Sequence, residues 1–186
     1  MIKLDINFDN IHLIIPSIQY IDSFRDAIEE YRNKKVEDFN YPLVRTKREA
    51  RLYFTRVENT RRGINMLKGA VPSSCFWLTD GKHYLGEGHI RHFLNDSLRR
   101  FGGNIGYSIR PSAWQQGLGS IQLSLLLTEA RKLDIFNPVI TCFDTNIASA
   151  KIIEKNGGKL ISKVTNNVKG ETRLTRIYNI NLTILD

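Results

Sequence analysis

Apolar and polar positions recur along this chain with two periods, one near 3.6 residues and one of 2, and each predicts a different element. The run 11–15 (IHLII), closed by Pro16, predicts a first strand. Ser17 then caps a helix in which Tyr20, Ile21, Phe24, Ala27, Ile28 and Tyr31 recur at helical spacing and should face a core. A loop with Pro42 is expected over 38–43. Thr46 and Glu49 form a capping box that opens a second helix, with Ala50, Tyr53, Val57 and Ile64 along one side and an end between Gly63 and Gly69.

Residues 74–79 (SCFWLT) and 83–94 predict a hairpin turned at Asp80-Gly81, a dipeptide suited to primed turns. Alternation in the second arm puts Leu85, Glu87, His89, Arg91 and Phe93 on one face, and Gly86, Gly88, Ile90, His92 and Leu94 on the other. After a polar loop at 95–103, a strand is expected at 104–110, then a turn at Pro111 and a loop with Gly117 and Gly119. The helix that follows, 118–133, should bury Leu118, Ile121, Leu125, Leu126, Ala130 and Leu133 and keep Gln122, Glu129, Arg131 and Lys132 outside. The run 138–143 (PVITCF) predicts a buried strand and 146–156 a helix stopped by Gly157-Gly158. Two last strands, 159–164 and 173–182, are linked by a turn at 166–170.

Composition narrows the class. With 186 residues, one domain is the default. No apolar run is long enough to cross a membrane, and the N-terminus lacks the basic-then-apolar pattern of a signal peptide, so the expected location is the cytoplasm. Cys75 and Cys142 fall in predicted strands, as small buried hydrophobes do. His12, His83, His89 and His92 show no ligand spacing backed by a third ligand, which argues against a metal site. The net charge of +8 favours an anionic partner: phosphates, nucleic acid or an acidic acceptor. The second helix concentrates this charge in Lys47, Arg48, Arg51, Arg56, Arg61, Arg62 and Lys68, either as a plain solvated face or as a surface for an anion. No aromatic residues interleave with these cations in a reading motif, which argues against nucleic acid.

Two stretches carry candidate chemistry. In 104–133 a strand hands over to a helix through a glycine loop, which leaves backbone N–H groups of Gln115, Gln116, Gly117, Leu118, Gly119 and Ser120 at the positive end of the helix dipole, a phosphate cradle. The alternative is a turn in which glycine only saves space. The loop is neither a Walker loop nor a dinucleotide fingerprint, which would need a third Gly where Gln122 stands. On the hairpin, Glu87 and His89 either sit on a solvent-open strand, Glu87 pairing with Arg91, or look into a cleft as candidate proton acceptors. Histidine ordinarily titrates near neutrality, whereas Glu87 would need burial to raise its pKa.

The runs RPSAWQQGLGS (110–120) and TNIASAKIIEKNGG (145–158) resemble the cofactor-binding core of the GNAT superfamily of N-acetyltransferases. Within it, HIRHFLN (89–95), GGNIGY (102–107), RPS (110–112) and NGG (156–158) resemble a little-characterised bacterial branch. The resemblance implies a single α/β domain: a mixed, bent central sheet with helices on both faces and a splayed pair of parallel strands ending near Arg110 and Phe143. It also implies acetyl-CoA as co-substrate, transfer to a primary amine of a small molecule or peptide by direct attack, and a late antiparallel hairpin. Ser108, Ile109 and Arg110 would border the thioester, a backbone N–H there serving the oxyanion, and Asn146 would reach the cofactor arm or simply cap its helix. This chain departs from the superfamily pattern at three points. Trp114 stands where Arg or Gln usually opens the signature, Ile153 stands where many members carry a Tyr that protonates the leaving thiolate, and no carboxylate lies on 104–110. A non-catalytic acyl-CoA-binding module is the alternative. Oligomeric state is open, a homodimer included.

Overall fold

A computed structural model describes residues 4–36, 44–168 and 170–183. The expected Pro42 loop lies outside them. In chain order the strands are β1 (His12–Ile14), β2 (Ser73–Thr79), β3 (Tyr84–Arg91), β4 (Ile105–Ile109), β5 (Val139–Phe143), β6 (Lys159–Val168) and β7 (Glu171–Asn179). The helices are α1 (Ile21–Asn33), α2 (Lys47–Arg62), α3 (Asp96–Arg100), α4 (Leu118–Lys132) and α5 (Ile147–Lys155). The strands form two antiparallel ladders, β1-β2-β3-β4 and β5-β7-β6.

The ladders meet where β4 and β5 begin. There the Asn104 N–H donates to the Val139 carbonyl at 2.6 Å, and the Val139 N–H donates to Asn104 Oδ1 at 2.9 Å. Gly103 permits this approach: its φ is +61°, and a Cβ there would stand 2.4 Å from the Val139 oxygen. Beyond this clasp β4 and β5 share no ladder among the described residues, and a cavity lined by both strands opens between them. Helices cover both faces. Leu123, Leu126 and Ala130 of α4 with Ala150 and Ile153 of α5 pack on Ile90, Ile105, Ile140 and Tyr178. On the other face Phe24 of α1 and Tyr53 of α2 pack on Trp77, ring to ring.

Several boundaries differ from expectation. Ser17 caps a 3₁₀ turn, Ile18–Tyr20, that leads into α1, while the Thr46–Glu49 capping box forms as read. α2 stops at Gly63 in the left-handed region, so Ile64 falls beyond it. The hairpin turn is longer than a two-residue primed turn, because buried Asp80 gathers the N–H groups of Lys82 and His83 on Oδ1 and the His83 ring on Oδ2. The polar loop at 95–103 holds α3, capped by Asn95. In α4 the buried face includes Gln122, Leu123 and Leu127, whereas Ile121 and Leu133 are exposed. Helix α4 presses against β3 and β4 as well as α5, so its buried arc is wider and rotated from the stripe that periodicity alone gave. Among the described residues no helix is long and apolar enough to cross a membrane.

Candidate active site

The cradle is built by a sequence of forced turns. Pro111 opens a 3₁₀ turn, Gln115 takes a positive φ of 61°, and Gly117 takes φ 80° at the N-cap of α4. The Ala113 and Trp114 N–H groups close the 3₁₀ turn, and those of Ser120 and Ile121 go to the Gly117 carbonyl. The five N–H groups from Gln115 to Gly119 have no protein partner among the described residues. Five donors at a helix N-terminus, with no acidic residue in the first turn, are an arrangement suited to an anion.

The two glycines differ in role. A Cβ on Gly117 would meet nothing within 4 Å, so its missing side chain faces open space and its φ demands glycine. A Cβ on Gly119 would stand 2.7 Å from Ile152 Cδ1. Gly119 therefore serves the packing of α4 on α5. A side chain at 119 would meet Ile152 first. Ser120 Oγ accepts from Asn156 Nδ2 at 3.2 Å and keeps its own proton to donate.

Of Ser108, Ile109 and Arg110, only Ile109 has a backbone N–H without a partner among the described residues. Arg110 N–H donates to the Leu85 carbonyl and Arg91 N–H to the Asn104 carbonyl, which fixes the phase of the β3–β4 ladder. Alternation then gives the Ser108 N–H to β3 and turns the Ile109 N–H and carbonyl toward the splay. The Ile109 carbonyl is already met there by the Trp114 indole N–H at 2.6 Å. Arg110 does not join the cradle. Its guanidinium is buried, bonded twice to Glu30 Oε1 (2.8 and 2.6 Å) and once to Ser23 Oγ at 3.0 Å, and the other Glu30 oxygen accepts the Ser112 N–H. This clamp ties α1 to the turn that aims the cradle. Burial would raise the Glu30 pKa, but donation from Arg110 and Ser112 outweighs it and holds the carboxyl below its ordinary value.

Glu87, His89 and Ser108 share the sheet face covered by α1 and α2, Glu87 directly opposite Ser108 and His89 opposite Gly106. Glu87 does not pair with Arg91, whose guanidinium instead holds the Gly102 and Gly103 carbonyls. Glu87 Oε2 accepts from the Tyr53 hydroxyl at 2.8 Å and the Trp77 indole at 3.1 Å, and Oε1 lies 2.8 Å from His89 Nε2. Burial alone would raise the Glu87 pKa, but His89, Tyr53 and Trp77 together lower it. Glu87 thus has the burial that a raised pKa would need, and its three donors outweigh it. The ionised carboxylate can only accept, so His89 Nε2 carries the proton and Nδ1 has no partner among the described residues, on a side chain 42% exposed. Burial, and then the Glu87 charge, push the Tyr53 phenol far up, so it remains a neutral donor.

Asn146 caps α5, its Oδ1 accepting the Ser149 N–H at 3.0 Å. It also lines a cavity of about 270 Å³ between the diverging strands, with Tyr107, Cys142 and Ser149. Ile153 is wholly buried in the core. Among the hydroxyl residues that line the splay, Tyr107 Oη lies 3.0 Å from Ser149 Oγ. Tyr53, Trp77 and Tyr107 were not foreseen as site residues. Tyr53 read as part of a core stripe, and no local pattern shows that its hydroxyl meets a carboxylate 34 residues on.

Unpaired backbone donors at a helix N-terminus suit a phosphorylated carrier, and the carboxylate–imidazole pair on the neighbouring strand suits proton transfer. The profile of the acetyltransferase (GNAT) domain matches residues 19–159, and the chain belongs to that family. As a member of it the chain is an N-acetyltransferase, as the resemblance implied. Among solved structures it is similar to RimL, a ribosomal L7/L12 alpha-N-protein acetyltransferase in complex with coenzyme A: 17% identity, 95% of this chain and 96% of that one, TM-score 0.70. It is also similar to the microcin C7 self-immunity acetyltransferase MccE in complex with acetyl-CoA and AMP, at 14% identity, 93% of each chain and TM-score 0.69. RimJ of Mycobacterium smegmatis matches at 14% identity, 94% of this chain, 83% of that one and TM-score 0.68. No protein of curated function matches the sequence.

Proposed function

We propose that the chain acetylates the α-amine of an acidic polypeptide, with His89 as proton acceptor and Glu87 as the residue that positions it. The carrying observation is the 2.8 Å contact of Glu87 with His89 Nε2, which leaves Nδ1 free on the face bordered by α2. Gln115 to Gly119 hold the pyrophosphate of acetyl-CoA, and Ser120 adds a hydroxyl. The pantetheine arm enters the splay past Asn146, and the thioester oxygen takes the Ile109 N–H as its charge develops. An amine near pKa 10 sheds its proton to His89 Nδ1, directly or through water, as it attacks the carbonyl carbon. The tetrahedral intermediate then expels the thiolate, toward the Tyr107 and Ser149 hydroxyls that line the cavity. This reading keeps the protein in the cytoplasm, where acetyl-CoA is held.

Charge supports the acidic acceptor. Lys47, Arg48, Arg51, Arg56 and Arg62 of α2 are exposed and make no ion pair among the described residues. RimL supports a polypeptide, as an alpha-N-protein acetyltransferase on the same fold. The test is thiol release from acetyl-CoA over a panel of amines: acidic, neutral and basic peptides with free N-termini, a polyamine and an amino acid. The reading expects the acidic peptide to react fastest, with a rate that falls as salt rises. A polyamine or basic peptide reacting fastest would reject it.

A further inference from the structure

Cys75, Glu87 and His89 bring three side-chain ligand atoms within 4.8 Å of one another, the one such group among the described residues. The sheet register gathers them: Cys75 and His89 are cross-strand partners, and Glu87 lies two residues along β3 on the same face. Sequence spacing could not reveal this set, since one ligand comes from another strand. Thiolate, imidazole and carboxylate are the donors that zinc accepts, and sulfur with nitrogen disfavours magnesium and calcium. The set is also supported from behind. Tyr53 and Trp77 fix Glu87 through Oε2 and leave Oε1 facing His89, as outer groups orient a ligating carboxylate. Cys75 is buried, and the half-exposed His89 ring provides the way in.

We propose that Cys75, Glu87 and His89 form a site for a thiophilic divalent cation of the zinc class, and that its occupation silences acetyl transfer. The first half stands on the ligand set alone; the second rests on the role given above to His89. Binding releases the Cys75 thiol proton to solvent, three protein ligands leave a fourth tetrahedral position for water, and the imidazole and carboxylate that handle the amine proton are then tied to the metal. Binding and silencing are separate observables.

Cobalt(II) is the probe. Titrated into the protein, it should saturate at one equivalent with a sulfur-to-cobalt charge-transfer absorption, be displaced by zinc, and be indifferent to magnesium. Cys75→Ala and His89→Gln should each weaken zinc binding at least tenfold in competition with a chromophoric chelator, while Cys142→Ala keeps the absorption. If Cys75→Ala does not fold, Cys75→Ser with a native melting profile carries the test. Absence of the absorption at one equivalent in the wild type, or its survival in the Cys75 variant, overturns the site. Zinc should also abolish thiol release reversibly, with recovery on adding a chelator. A metal complex on these ligands that leaves turnover intact upholds the site and overturns the silencing.

Discussion

Replacing Gly117 with alanine perturbs the cradle at a position where no neighbouring atom is touched. Its φ of 80° lies in the left-handed region, and an added Cβ would meet nothing within 4 Å. A non-glycine residue there costs about 1–2 kcal/mol, which the loop can shed by turning its N–H groups off their common focus. Each hydrogen bond to a charged group is worth about 1.5–3 kcal/mol, so losing one N–H–phosphate contact lowers affinity about 10- to 150-fold. Gly119→Ala is the paired control. Its Cβ would stand 2.7 Å from Ile152 Cδ1, the end of a flexible side chain, so the cost of about 1–3 kcal/mol falls on helix packing. Calorimetric titration with acetyl-CoA, alongside thermal unfolding, reads both effects. Gly117→Ala should lose affinity with little loss of stability, and Gly119→Ala the reverse. The reasoning is refuted if folded Gly117→Ala binds acetyl-CoA within threefold of the wild type, or if Gly119→Ala loses more affinity than it does.

Three further outcomes follow from the same contacts. Glu87→Gln removes the ionised acceptor that sets the His89 tautomer, so kcat should fall about 10- to 100-fold, the worth of one charge-assisted bond, with the KM for acetyl-CoA near wild type; a rise in KM alone would contradict the positioning role. Arg110→Met leaves Glu30 without its guanidinium and should cost about 3 kcal/mol in chemical denaturation. Because the folded Glu30 pKa is depressed, its contribution is present above the ordinary carboxylate value of about 4.3 and is lost as pH falls through the folded value; Glu30→Gln should therefore flatten the fall in stability over that acid range, and an unchanged slope would refute this. Gln122 is wholly buried with neither amide atom partnered among the described residues, so Gln122→Leu should raise stability by about 1 kcal/mol, whereas a loss of that size would mean that an ordered water satisfies the amide.

Elements with a strong local signal were legible from the chain alone. The capping box at Thr46–Glu49, the strand–loop–helix around Gly117 and the glycine stop after α5 each depend on backbone chemistry within a few residues. The face shared by Glu87 and His89 followed from strand alternation. What sequence left out depends on tertiary register. The phase of α4 was set by packing on β3, β4 and α5, which buries Gln122 in place of Ile121. Arg110 looked like a cofactor residue because it stands at the end of the right strand, but its partner Glu30 is 80 residues away in sequence. Glu87 looked like a base in need of a raised pKa, because the donors that lower it sit on α2 and β2 as well as on its own strand. Trp114, a departure from the usual signature, gains a structural reason in its bond to the Ile109 carbonyl.

Acetyl transfer in a single turnover, followed by rapid quench and mass analysis of an acidic peptide with a free N-terminus, tests the central claim most directly when the wild type is run beside His89→Ala. The account predicts acetyl on the α-amine in the wild type and a rate about 100-fold or more lower in the variant, the worth of a positioned general base, with acetyl-CoA affinity unchanged. Equal rates in the two proteins would contradict the role of His89, and a wild type that binds acetyl-CoA yet acetylates no amine would contradict the account as a whole.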